Sequence, residues 1–153
     1  TSAIKTFTQK VNWKNLDFII VDMPPGTGDT QLTFSQEIQI DGAIIVSTPQ
    51  EVALLDVKRG IKMFDKLGVK ILGLVDNMSY FTGDDGKKYK IFGEGGVKKT
   101  AKEFDKEFLS EIPIDSEVGK SGDEGKPIVE SNPDHNISKI YLSLANKIKT
   151  TYL

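Results

Sequence analysis

Cysteine is absent from the 153 residues, and histidine occurs once, as His135. Without thiols the chain can build no disulfide framework, thiolate zinc site, cysteine nucleophile or iron–sulfur cluster on ligands of its own. A lone His135 also excludes a histidine-rich metal site. Long hydrophobic runs are missing as well. None exceeds four residues, as in Phe18–Val21, so no segment reads as a membrane-spanning helix. Neither sign of charge dominates: 20 basic residues face 22 acidic ones, for a net charge of -2. That balance argues against bulk electrostatic binding of nucleic acid or an anionic membrane. Apolar and charged shares of 38% and 27% are ordinary for a folded domain, so disorder throughout is not expected. A reducing, cytoplasmic setting fits the lack of cysteine. The chain opens on Thr1 with no charged leader and apolar block behind it, so the expectation is a removed start or a part of a longer protein.

What is present reads as alternating strands and helices. Leu16–Asp22 is apolar on both faces, the mark of a strand buried in a parallel sheet. A loop follows, and Asp29 or Thr30 can cap a helix running to about Gln39. Gly42–Ser47 is a second buried strand. Thr48-Pro49-Gln50-Glu51 opens a helix to about Leu67, with Val52, Leu55, Ile61 and Phe64 near one side and Gly68 as its stop. Val69–Asp76 is a third strand. Strands separated by helices mean βαβ units and a parallel sheet. Thr82–Gly96 shows no period and reads as a loop or small excursion, followed by a helix over about Val97–Phe108. Phe108–Pro113 suits a short last strand, and Ser116–Pro127 is polar and Gly-rich. Asn132-Pro133 is a cap pair for a final amphipathic helix with Ile137, Ile140, Tyr141, Leu144 and Ile148 on one face, and His135 near its start on the surface.

The most informative run is Asp22-Met23-Pro24-Pro25-Gly26-Thr27-Gly28-Asp29, directly after the first apolar strand. An acid at the carboxyl end of such a strand lies where open α/β sheets bind ligands. A single carboxylate there can hold Mg²⁺ beside phosphates. Gly26, lacking a Cβ, can bring its N–H close to a terminal phosphate.

This run resembles the switch II region of the Mrp/ApbC-like ATPases, MinD-like members of the deviant-Walker P-loop class. The resemblance continues in order through Val46–Leu54, Asp76-Asn77-Met78-Ser79-Tyr80-Phe81, Ile91-Phe92-Gly93, Glu111-Ile112-Pro113-Ile114-Asp115 and Ser121–Pro127. It implies a P-loop NTPase-like α/β fold with a parallel sheet and helices on both faces. It also implies a cytoplasmic homodimer that binds and hydrolyses ATP with Mg²⁺ and carries iron–sulfur clusters to client proteins. Residue by residue, it implies that Asp22 belongs to the Mg²⁺ shell, that Gly26 senses the γ-phosphate and that Asn77 reads the adenine edge, a task suited to an amide with both donor and acceptor. Pro113 and Ile114 border the base.

Two departures from the family pattern matter. The phosphate-binding loop and the switch I aspartate precede switch II in the family, and only 21 residues precede Asp22 here. Residues 1–153 are therefore expected to be the C-terminal portion of a single NTPase domain, with the first strand and the P-loop absent and no catalytic residue in this chain. Two internal decoys fail. Gly119-Lys120-Ser121 lacks the P-loop's leading glycine, since Ile114 stands there. Gly95–Thr100 places Glu94 where the signature lysine belongs. The second departure is the interval Thr82–Lys90, where many relatives carry a Cys-x-x-Cys and this chain carries no sulfur. Asp84 and Asp85 offer oxygens there, in what reads as a solvated turn. The reading is an ATP-binding portion of an iron–sulfur cluster carrier or assembly ATPase. The rival is a non-catalytic module that dimerises or binds a partner. A membrane-positioning ATPase is disfavoured, because no separate amphipathic helix follows the final one.

Overall fold

The computed structural model describes residue 6 and residues 10–23 and 28–152. In chain order the elements are α1 (Asp29–Glu37), β1 (Ala43–Ser47), α2 (Glu51–Leu67), β2 (Ile71–Thr82), β3 (Lys88–Tyr89), α3 (Gly96–Glu103), β4 (Phe108–Ile114), α4 (Ser116–Asp123), α5 (Ile128–Ser131) and α6 (Asn136–Tyr152). β2 is central, with β1 and β4 parallel to it on either side. β3 pairs antiparallel with the far end of β2, so the sheet is mixed rather than all parallel.

Alternation along the strands divides the core in two. Leu74, Ile45 and Phe108 face a cluster built from Leu54, Val57 and Ile61 of α2 and Val97 and Ala101 of α3. Their chain neighbours Val75, Ile44 and Leu109 face the opposite way, onto Ile128 of α5, Ile137 of α6 and Val118 of α4. Helices thus cover both faces. Gly73 lets β4 approach: its φ is 153°, and a Cβ there would lie 2.5 Å from the Leu109 side chain and 2.7 Å from the Glu107 carbonyl. Gly68 ends α2 in the left-handed conformation, the stop its position predicts.

Several sequence expectations are corrected. Leu16–Asp22 forms no strand. No ladder reaches it among the described residues, and Leu16, Phe18, Ile19, Ile20 and Val21 are exposed. Apolarity on both faces says that a segment can fill a strand position, not that a neighbour is present. Asp29 is the first helical residue of α1 rather than its cap, which is Gly28. The buried stripe of α2 is Leu54, Val57 and Ile61, while Val52 and Leu55 are exposed. β2 runs past Asp76, where the strand is expected to end, to Thr82, and the excursion that follows returns as the short antiparallel β3. α3 stops at Glu103, not near Phe108. Ser116–Asp123 is helical despite its polar composition, because the Asp115 Oδ1 accepts the Glu117 amide at 2.8 Å and caps it. α6 begins at Asn136, and its cap is His135 rather than Asn132: the half-buried ring accepts the Ile137 amide at Nδ1 (3.3 Å) and its Nε2 lies 3.5 Å from Asp115. No helix among the described residues is long and apolar enough to cross a membrane.

Candidate functional site

β1 ends at Ser47, opposite Asp76, and β4 ends at Ile114, opposite Phe81, while β2 between them runs on to Thr82. In the ladder, Asn77 of β2 stands opposite Ile112 of β4, and Ser47, Asp76 and Glu111 form a row across the three strands. Pro113 and Ile114 close β4 and lead through Asp115 into α4. Asn77, Pro113 and Ile114 are each half-buried. The structure therefore places Asn77, midway along β2, one ladder position from Pro113 near the end of β4.

Just beyond Asn77 the strand is irregular. Met78 has φ 56°, an uncommon conformation for a residue with a side chain. The pairing of β2 with β4 slips between Asn77 and Phe81. The buried Ser79 hydroxyl donates to the Ile112 carbonyl at 3.2 Å, bridging the two strands where the ladder is interrupted.

Asp22 is not part of this gathering. It is exposed, lies outside the sheet, and has no hydrogen-bond or ion-pair partner among the described residues. An exposed lone carboxylate is chemically suited to Mg²⁺, which typically takes one or two carboxylates and completes its shell with water and phosphate oxygens. Gly26 lies outside the described residues.

The residue that sequence reasoning missed is Asp76. It is 2% exposed, and its Oδ1 has no hydrogen-bond partner. Burial first, and then the Glu111 carboxylate, push its pKa up to about 6, against an opposing pull from Lys90. No local signal marks it, because Asp76 follows the apolar run Ile71–Val75 and precedes Asn77, as an acid that ends a strand does.

The hairpin from β2 to β3 is organised by another acid. Asp85 accepts from the Lys87 amide (3.0 Å) and the Tyr89 hydroxyl (2.9 Å), which hold its carboxyl below the usual range. Lys88 Nζ lies 4.1 Å from the centroid of the Tyr80 ring. With Asp85 so engaged and no cysteine in the chain, the hairpin offers no ligand set for an iron–sulfur cluster. No group of three or more His, Cys, Asp or Glu side chains among the described residues could hold a metal ion.

Comparison with known proteins bears on this arrangement. The family model described as "ParA: NUBPL iron-transfer P-loop NTPase" matches residues 1–149. An iron–sulfur cluster carrier protein of Aquifex aeolicus is 45% identical over 144 residues, covering 94% of this chain and 40% of the relative. The iron–sulfur cluster transfer protein NUBPL of Mus musculus is 45% identical over 148 residues, covering 96% of this chain and 46% of the relative. The chain thus spans less than half the length of these curated relatives. A nucleotide-binding protein of Archaeoglobus fulgidus, solved in complex with ADP, superposes with a TM-score of 0.77 at 41% identity, over 87% of this chain and 55% of that one. The cell division ATPase MinD of Pyrococcus furiosus shares the fold, with a TM-score of 0.70 at 23% identity, over 98% of this chain and 56% of the other. The mixed α/β sheet and the match over almost the full length agree: this chain belongs to the ParA/NUBPL family of iron-transfer P-loop NTPases.

Proposed function

We propose that residues 1–153 are the C-terminal portion of one P-loop NTPase domain, and that they supply the base-binding and Mg²⁺-facing side of an ATP site in a protein that carries or assembles iron–sulfur clusters. The observation that carries this reading is the placement of Asn77 opposite Ile112, with Pro113 and Ile114 directly following, at the carboxyl edge of parallel strands. That edge is where open α/β sheets receive nucleotides. The A. fulgidus relative of known structure holds ADP.

In this reading the Asn77 side chain offers one acceptor and one donor to the adenine edge. Pro113 and Ile114 flank the base with apolar surface. Asp22 ligates Mg²⁺, which neutralises phosphate charge when bound, and the Gly26 amide contacts the γ-phosphate. The phosphate-binding loop and the hydrolytic aspartate lie outside these 153 residues. Hydrolysis would release the segment around Gly26 and pass the nucleotide state to a dimer interface in the cytoplasm. The cluster is cargo rather than a resident cofactor here, and its ligands come from elsewhere, since this chain has no thiolate.

The test uses the complete reading frame. With a P-loop encoded upstream of Thr1, the whole protein is expected to bind Mg-ATP and hydrolyse it. Asn77→Ala is expected to weaken ATP binding about tenfold, the worth of roughly one net hydrogen bond. Asp22→Ala is expected to remove the Mg²⁺ dependence. A whole protein that binds no nucleotide, or a start codon close to Thr1, would favour the non-catalytic partner-binding module instead.

A further inference from the structure

Strand β2 carries an acid where a buried strand tolerates one least. Asp76 lies on the Leu74 side of the sheet, the side on which α2 and α3 pack with the apolar residues Leu54, Val57, Val97 and Ala101. Its ladder neighbours are Ser47 and Glu111. The Ser47 hydroxyl is committed to the Thr48 carbonyl at 2.9 Å, and Asp76 Oδ1 remains unpartnered. The next residue is Asn77, and the one after it is the strained Met78. Ser79 then fastens the strand to the carbonyl of Ile112, the ladder partner of Asn77. Asn77 is therefore bracketed by a buried, unsatisfied acid and a left-handed kink. Both features cost stability, and such features cluster where a side chain must be aimed.

We propose that Asp76 is a positioning residue for Asn77, its buried carboxyl, in the row between Ser47 of β1 and Glu111 of β4, setting the course of the strand so that the Asn77 amide is presented to a purine edge. The ligand in this statement rests on the reading of Asn77 as an adenine contact. The protonation of Asp76 follows from its surroundings. Glu111 faces it from β4 and raises its pKa, Lys90 after β3 lowers it, and Lys90 is itself 3.9 Å from Glu94. The cluster residues of α2 and α3 on this side are apolar. With a pKa of about 6, the acid is neutral below that pH and ionised above it. The carboxylate then has no donor for Oδ1, is drawn toward Lys90, and moves the strand.

Solution NMR of the complete protein tests this. The Asn77 side-chain amide, assigned with Asn77→Asp, is followed between pH 5 and 8 without and with adenosine, whose base does not titrate in that window. In the wild type the amide resonance is expected to move with a midpoint near pH 6, and in Asp76→Asn to stay flat. Glu111→Gln, which removes the like charge, is expected to lower the midpoint. Adenosine is expected to bind on the order of tenfold more tightly at pH 5.5 than at 7.5 in the wild type, because only the neutral form is competent. In Asp76→Asn the affinity is expected to be the same at both. A flat wild-type resonance, or a midpoint unchanged by Asp76→Asn, overturns the proposal. If the resonance titrates as expected but adenosine perturbs it at no pH, the adenine reading fails and the positioning role stands.

Discussion

Leu16–Asp22 and Ile71–Asn77 are two apolar runs that reach an aspartate, and they have opposite fates. The second is the middle of the sheet, with a parallel partner on each side and helices over both faces. The first has no ladder partner among the described residues, and its Ile20 is 83% exposed. Composition does not separate them. What separates them is whether neighbours are present to take up the backbone donors and acceptors and to cover the side chains. The same contrast holds for the two acids: Asp22 stands in solvent, whereas Asp76 is enclosed and its carboxyl is pushed up to about 6.

Mutating the buried core gives the largest effect. Ile61, fully buried beneath Leu74, is expected to lose about 2–5 kcal/mol of stability on change to alanine, measured by denaturant unfolding. The pH dependence of stability comes next. Asp76 titrates near pH 6 in the folded chain against 3.8 for the unpaired group. Folding then takes up a proton between those values, so this acid's effect is most favourable below about pH 3.8 and turns increasingly unfavourable as pH rises to about 6. A gap of about two pKa units bounds the cost at about 3 kcal/mol. Asp76→Asn is therefore expected to raise stability by about 1–3 kcal/mol at pH 7.5 and to change it little at pH 4, as read from thermal melts across pH. Removing the cap of α4 with Asp115→Ala is expected to cost about 1 kcal/mol, and it also takes away one of the two carboxylates beside His135, the other being Glu117. Ile20→Ala, in the exposed run, is expected to fall within about 0.5 kcal/mol. A loss there as large as at Ile61 would mean that Leu16–Asp22 is packed after all, and would erase the contrast between the two runs.

The sequence was legible where the determining information is local. The α2 helix and its Gly68 stop, and the apolar cores of β1, β2 and β4, follow from period and punctuation. Asn77 stands opposite Ile112, one residue before Pro113, in the ladder of β2 and β4. The illegible parts depend on distant partners. The length of β2 beyond Asp76 rests on a kink at Met78 and on the Ser79 bond to Ile112, a residue 33 positions away. The helix at Ser116–Asp123 rests on one carboxylate cap in an otherwise loop-like composition. His135, which reads as a surface residue, ties the start of α6 to that cap. Asp76 reads as the end of a strand, and only the flanking strands reveal it as buried.

In the proposed reading the base of a nucleotide sits beside Asn77 of β2 and the end of β4. A crystal structure of the complete protein with Mg-ADP tests it most directly. The adenine edge should be hydrogen-bonded by the Asn77 side-chain amide, with Pro113 and Ile114 against the ring. An adenine bound elsewhere, with the Asn77 amide satisfied only by protein, would contradict it.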